Sequence, residues 1–104
     1  MYIVVRRDLT PGQMACQAAH ALADYAMYHR SRFEVWQSVS NHICILEVEN
    51  VTELLELAVK IRMANYSMTM FTEPDLDNQA TAFCVGPEAK SMLSQLRLAF
   101  KPRS

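Results

Sequence analysis

One segment near the start of the chain carries an unusual set of polar side chains. Gln13, Gln17, His20 and Asp24 follow the spacing i, i+4, i+7 and i+11, so they share one face of a predicted helix. Amides and carboxylates form hydrogen bonds, and an imidazole exchanges protons near neutral pH. This face is suited to binding an anion, and a solvated surface with few charges is the alternative interpretation.

Two arginines, Arg6 and Arg7, directly precede this helix at the carboxyl end of the first predicted strand. Open α/β sheets place ligands at the carboxyl ends of their strands. The N-terminus of a helix also has free N–H groups and a positive dipole end, and both favour an anion. We therefore expect a ligand at this edge of the sheet.

Other candidate groups are weaker. Glu73, Asp75 and Asp77 fall in the loop "EPDLDN", which lacks the ligand spacing of a calcium loop and is typical of a turn. Cys16 and His20 could pair as thiol and imidazole, but we expect Cys16 on the alanine-rich, packed side of the helix. The three cysteines lack disulfide or zinc spacing, which favours a reducing cytoplasm.

The composition is typical of one globular domain spanning residues 1–104. The hydrophobic content is 51%, and the formal net charge of −1 gives no bulk attraction for nucleic acid. No apolar stretch approaches the length of about 18 residues that is needed to cross a membrane. We therefore expect no membrane association and no signal peptide.

Apolar periodicity and turn residues predict the elements that position these groups. Thr10, Pro11 and Gln13 form a predicted capping box at the start of the first helix, and Asn50 begins the next cap. The predicted strands are 2–6, 42–49, 66–72 and 80–85. The first predicted helix runs from residue 11 to residue 28 or 30, and a short helical turn follows at 33–38. The second predicted helix begins after the cap at Asn50, and the last one covers 88–98.

This order, β-α-β-α-β-β-α, predicts an α/β fold. Crossover helices after the first two strands require parallel neighbours, whereas the short link between the last two strands allows one antiparallel strand. The expected architecture is a four-stranded mixed sheet in three layers, with helices on both faces.

Four stretches taken together resemble a known family: "VVRRDLTPGQMACQAAHA", "SNHICILEV", "EPDLDNQATAFCVGP" and "LSQLRLAFK". They are similar to the peptidyl-tRNA hydrolases of the archaeal and eukaryotic type, especially the short bacterial and phage-like members and the peptidyl-tRNA hydrolase domain-containing proteins. The resemblance implies hydrolysis of the ester between a peptide or N-blocked aminoacyl group and the 3′ end of tRNA. It implies no cofactor and no metal.

The resemblance also assigns roles to individual residues. The family's Arg-x-Asp-Leu falls on Arg6, Asp8 and Leu9, its helical Gln on Gln17, its following His on His20 and its strand Thr on Thr81. Its loop acid falls on Glu73, with Asp75 as the alternative. The expected catalytic residues are Gln13, Gln17, Glu73 and Thr81, and the expected contacts to the acceptor stem and 3′ end of the tRNA are Arg6, Arg7, Asp8, His20 and Asp75.

One departure keeps a second function open. Where the family's archetype has a lysine, this chain has Gln13, whose neutral amide stabilises an oxyanion less than a cation does. A catalytically impaired relative that binds RNA or a protein is therefore the alternative, and a small-molecule sensor is a third. The oligomeric state is open between a monomer and a homodimer.

Overall fold

The computed structural model describes residues 1–102 and contains five strands and three α-helices within them. The strands are β1 (Tyr2–Arg6), β2 (Cys44–Val48), β3 (Met68–Glu73), β4 (Gln79–Val85) and β5 (Arg97–Leu98). The helices are α1 (Pro11–Tyr28), α2 (Arg30–Val39) and α3 (Val51–Met63). Short 3-10 helices cover Pro74–Leu76 and Pro87–Met92. Within the described part of the chain, no helix is long and apolar enough to cross a membrane.

The two predicted helix caps form as the sequence indicates. The Thr10 hydroxyl accepts a hydrogen bond from the Gln13 N–H, and the Gln13 side chain accepts one from the Thr10 N–H, so the capping box is confirmed. Asn50 caps α3 through the Glu53 N–H. Each cap pairs backbone donors that the first turn of a helix leaves without partners.

The sheet is mixed, with the strand order β3-β4-β1-β2-β5. β1 and β2 pair in parallel, as the crossover predicts. β4 lies between β1 and β3 and runs antiparallel to both. The carboxyl ends of β1 and β3 and the start of β4 therefore meet at one edge, which we call the Glu73 edge after the last residue of β3.

The predicted count of four strands is wrong, because residues expected in a last helix form another strand. The segment 88–98 is a 3-10 helix followed by β5, whose Arg97 and Leu98 pair with Glu47 and Leu46 of β2. This pairing supplies partners to backbone groups on a strand that would otherwise form an open edge. The expected turn at 33–38 is longer and forms the ten-residue α2.

Two clusters of buried residues pack against the sheet. Ile3 and Val5 of β1 belong to the cluster that includes α1 and Trp36 of α2, whereas Val4 belongs to the cluster that includes α3. Alternate residues of a strand point to opposite faces. The two clusters therefore lie on opposite faces of the sheet.

A β-bulge in β4 changes this alternation near the Glu73 edge. Phe71 of β3 pairs with Ala82, but Thr72 pairs with Ala80, so Thr81 is the extra residue. Ala80 packs in the cluster with α3, and Ala82 packs in the cluster with α1. A bulge redirects the side chain of its extra residue, and here Thr81 points towards α1, where it meets Gln17.

Candidate active site

A chain of hydrogen bonds joins three of the expected catalytic residues at the Glu73 edge. The Thr81 hydroxyl donates to Gln17 Oε1 over 2.7 Å, and Gln17 Nε2 donates to Glu73 Oε1 over 2.8 Å. A hydroxyl donor on one side and a carboxylate acceptor on the other fix the orientation of the amide. The fold thus brings together residues that lie 56 and 64 positions apart in the sequence.

Gln17 and Thr81 are buried, contrary to the expectation of an exposed polar face. Gln17 is 3% exposed and Thr81 is fully buried, whereas Gln13 and His20 are exposed and Asp24 is half-buried. The four residues of the face differ because Gln17 also belongs to the buried stripe of α1, with Met14, Ala18, Ala21 and Tyr25. Gln17 therefore presents little surface of its own to a ligand.

Glu73 remains half-buried at the end of this chain, and its surroundings favour the carboxylate form. The hydrogen bond from Gln17 holds the pKa of Glu73 below its ordinary value of 4.5. Burial acts in the opposite direction, while the Asp75 N–H and the nearby His20 add smaller lowering effects on this pKa. Glu73 is therefore an ionised acceptor at neutral pH.

His20 and Phe71 form an aromatic surface beside Glu73. Their ring centroids are 4.3 Å apart and the rings are nearly parallel, with an interplanar angle of 7°. His20 is exposed, so one face of its ring is open to a ligand. Stacked rings of this kind can receive a nucleobase. Sequence reasoning missed Phe71, which the alternation of β3 marks only as a strand residue.

Arg6 lies below the surface rather than on it. Its guanidinium donates to both carboxylate oxygens of Asp8, at 3.0 and 2.8 Å, to Gln79 Oε1 at 2.9 Å and to the Ala80 carbonyl at 3.0 Å. The residue is 6% exposed, so these bonds occupy the group that was expected to meet phosphate. The same bonds lower the pKa of Asp8 from its ordinary 3.8.

The network predicts that Arg6→Gln acts mainly on stability. Glutamine cannot replace the paired bonds to Asp8 and leaves the Ala80 carbonyl without its donor, so we expect a loss of about 2–3 kcal/mol in the free energy of unfolding, measured in urea. Arg30→Gln is the matched control, because its ion pair with Glu34 is exposed and contributes below about 1 kcal/mol. An Arg6→Gln protein of wild-type stability with weakened tRNA binding would contradict this role.

Arg7 lies in a cluster of opposite charges on the other side of β1. Its side chain is 20% exposed and contacts Glu49 at 3.0 Å and Glu47 at 3.8 Å, and Arg97 also contacts Glu49, at 2.8 Å. Glu49 and Arg97 were not expected here, and only the pairing of β5 with β2 brings Arg97 to this place. The cluster presents two arginines and two glutamates at the carboxyl end of β2.

The remaining expected residues lie close to the Glu73 edge without completing the hydrogen-bonded chain. Gln13 caps α1 through its Oε1, and Asp75 is exposed in the 3-10 helix that Glu73 caps. Cys16 is exposed, contrary to the expected packed position, because β3 and β4 cover the neighbouring Gln17 instead. In residues 1–102, no group of three or more His, Cys, Asp or Glu side chains is placed to hold a metal ion.

A family model described as Peptidyl-tRNA hydrolase PTH2 matches residues 1–102. A search of curated proteins found no match to the chain. The family match covers nearly all of the 104 residues and confirms the resemblance that the four sequence stretches indicate. The chain therefore belongs to the PTH2 family of peptidyl-tRNA hydrolases.

Proposed function

We propose that the protein hydrolyses the ester that joins a peptide or N-blocked aminoacyl group to the 3′ end of tRNA. The observation that carries the proposal is the Thr81–Gln17–Glu73 chain, which ends on an ionised carboxylate at a ligand-binding edge of the sheet. Ester hydrolysis needs an oriented water molecule and donors for the developing oxyanion.

Glu73 is the group that we assign to the water. A carboxylate with a lowered pKa is a weak base, so its main effect is to hold the water in place. It then accepts a proton as the bond between the water oxygen and the ester carbon forms, and returns it to the 3′ oxygen of the tRNA as the ester C–O bond breaks. Gln17 and Thr81 act as positioning residues, because they fix the carboxylate and do not themselves reach the surface.

The start of α1 supplies the donors for the oxyanion. Pro11 has no N–H and the Gln13 N–H is bonded to the Thr10 hydroxyl, so the Gly12 N–H is the first-turn donor that the cap leaves at the positive end of the helix dipole. The Gln13 side chain uses Oε1 for the cap, and its NH2 group makes no hydrogen bond within residues 1–102. That NH2 group is a neutral donor at the position where the family's archetype has a lysine.

The remaining residues of the proposed site contact the tRNA part of the substrate. The exposed ring of His20, stacked on Phe71, receives a base of the 3′ end. Asp8, with a side chain that is 40% exposed, and the exposed Asp75 can accept hydrogen bonds from ribose hydroxyls. We assign Arg7 to acceptor-stem phosphates, which would replace its partner Glu49, while Arg6 holds Asp8 in place.

The decisive assay uses the purified protein and N-acetyl-aminoacyl-tRNA, with free and esterified tRNA separated on an acid gel. We expect release of free tRNA at the same rate with and without a chelator, because the proposed mechanism uses no metal. Activity that disappears with chelator and returns with zinc or magnesium would overturn the metal-independent mechanism. Binding of the tRNA without release would favour a binding module instead.

Gln13→Lys tests the oxyanion assignment. A cation in place of the amide is expected to raise hydrolysis several-fold, because it stabilises a developing negative charge more strongly. Lysine cannot accept the Thr10 N–H, so the variant also loses about 0.5–1 kcal/mol of stability.

Two controls separate the charge from the cap. Gln13→Ala loses the same cap without adding a charge, and Gln95→Lys adds a charge at another exposed position. Equal activity of Gln13→Lys and Gln13→Ala would show that residue 13 acts only as part of the cap of α1.

Location and assembly are part of the same proposal. A translation enzyme works in the cytoplasm, which agrees with three free cysteines in the described residues. The proposed site is built from α1, β1, β3 and β4 of one chain, so a homodimer is not needed to complete it. Sedimentation of the purified protein distinguishes a monomer from a homodimer.

A further inference from the structure

A cavity lies at the opposite edge of the sheet from Glu73. It has a volume of about 700 Å³ and is formed by the starts of β1 and β2, the end of α1, the helix α2 and the turn at Pro87. Small-molecule sites in proteins commonly have volumes of about 300–1,000 Å³. The size of this cavity therefore suits a single organic molecule rather than a tRNA.

Apolar residues of α2 form one wall of the cavity, and they differ in how far their side chains are exposed. Trp36 is 8% exposed, whereas Val35 and Val39 are 66% and 81% exposed. Ile43, before β2, is 48% exposed and extends the same wall. A contiguous apolar surface of this kind is unfavourable in water and is a common feature of ligand sites.

Tyr25 places a hydroxyl beside this apolar surface. The residue is 1% exposed, and its hydroxyl makes no hydrogen bond with any residue in the range 1–102. Every fully enclosed side-chain nitrogen or oxygen of the described residues does have a partner. The Tyr25 hydroxyl must therefore retain some accessible surface, and the cavity that Tyr25 lines provides it.

The chemistry of this hydroxyl defines what it can bind. The pKa of Tyr25 is raised to about 12, mainly by burial and to a smaller extent by the nearby negative charge of Glu88. The phenol is therefore protonated at physiological pH and donates a hydrogen bond. Buried tyrosine hydroxyls usually have a partner, and this one needs an acceptor.

The charges beside the cavity favour neither an anion nor a cation. Arg32 and Glu88 both line it, and neither forms an ion pair within the described part of the chain. Their opposite charges offset each other over the scale of a small ligand, and the ammonium of Met1, which also lines the cavity, donates a hydrogen bond to the His42 carbonyl. An uncharged molecule is therefore the occupant that this lining suits.

We propose that this cavity binds an uncharged aromatic or branched aliphatic molecule that carries a hydrogen-bond acceptor. The acceptor atom of this molecule accepts a hydrogen bond from the Tyr25 hydroxyl, and its apolar part lies against Val35, Trp36 and Ile43. This site is separate from the proposed ester-hydrolysis site, because the two lie at opposite ends of the strands.

The single tryptophan of the chain reports on the cavity directly. The protein is prepared with 5-fluorotryptophan, so that Trp36 gives one fluorine resonance, and is titrated with 2-acetylnaphthalene and 2-ethylnaphthalene. These probes have the same ring system and nearly the same size, and only the first carries an acceptor. We expect a saturable shift with both and about 3- to 10-fold tighter binding of the ketone.

Tyr25→Phe should abolish the preference for the ketone while leaving the melting temperature near that of the wild type, because the hydroxyl makes no protein hydrogen bond. Tyr28→Phe is the matched control, since it makes the same change on an exposed tyrosine of α1 and should keep the preference.

Three results would overturn the proposal. The first is the absence of a saturable shift with either probe, which leaves water as the partner of the hydroxyl. The second is equal affinity for the two probes in the wild type. The third is a Trp36 resonance that shifts with protein concentration alone, together with dimer formation in sedimentation, because that would make this face an interface between copies of the chain.

Discussion

Replacing Glu73 with glutamine should lower kcat/KM for hydrolysis of N-acetyl-aminoacyl-tRNA by about 100- to 1,000-fold at neutral pH. The amide is nearly the same size but has no negative charge and cannot accept a proton from water. Its single oxygen can still accept the hydrogen bond from Gln17, and only the long bond of 3.4 Å from the Asp75 N–H, which goes to the other carboxylate oxygen, is lost. We therefore expect the melting temperature to stay near that of the wild type.

Glu56→Gln is the matched control, because Glu56 is an exposed carboxylate on α3, whose buried residues pack in the other core cluster. It should leave hydrolysis unchanged. Binding of uncleaved tRNA, measured by fluorescence anisotropy, should differ little between Glu73→Gln and the wild type. If Glu73→Gln hydrolyses the substrate at the wild-type rate, Glu73 has no role in the chemical step and Asp75 becomes the acid to test.

Gln17→Leu should lower kcat by about 10- to 100-fold, because the Glu73 carboxylate is no longer held in position, although no reacting group is removed. Leucine fits the space of the glutamine but leaves Glu73 without its donor and Thr81 without its nearest acceptor. The unpaired Thr81 hydroxyl retains only a long contact, of 3.4 Å, to the Phe71 carbonyl. We expect a loss on the order of 1–2 kcal/mol in the free energy of unfolding.

The pH profile distinguishes this positioning role from a general loss of structure. In the wild type, the Gln17 hydrogen bond holds the pKa of Glu73 below 4.5, so hydrolysis should fall only at a pH below that value. Without the bond, the pKa of Glu73 rises, and the acidic limb of the kcat profile of Gln17→Leu should move to higher pH. A merely structural defect would lower activity without moving this limb.

The same shift affects stability, with a sign that follows from proton linkage. Because the pKa of Glu73 is lower in the folded protein than in the unfolded chain, its contribution is present above pH 4.5 and is lost as the pH falls through the folded value. In Gln17→Leu this dependence should be smaller. Gln37→Leu, at an exposed position on α2, is the matched control and should keep the wild-type profile.

Local sequence determined the elements that hold the proposed site. Thr10, Pro11 and Gln13 specify the start of α1 because a cap depends on neighbours within one helical turn. The apolar run of β1 indicates a strand buried on both faces. The parallel pairing of β1 with β2 follows from the crossover between them, and the family was evident from the order of four stretches along the chain.

Local sequence was insufficient where a residue's role depends on distant partners. The segment 88–98 has a helix-like pattern, but its last residues pair with β2 because an open sheet edge lies within reach. Arg6 ends an apolar strand, where the sequence suggests a surface residue, yet the distant residues Gln79 and Ala80 supply acceptors that keep its guanidinium buried. Such acceptors become visible only when β4 is placed beside β1.

The tertiary structure also decided which polar residues meet. The spacing of Gln17 and His20 places them on one face of α1, but it does not tell which of them the sheet covers. The bulge at Thr81 makes that choice, because one extra residue in β4 turns the Thr81 hydroxyl towards α1 and under Gln17. The sequence alone therefore identified the types of the site residues. Their burial, their hydrogen bonds and the lowered pKa of Glu73 depended on the register of two paired strands.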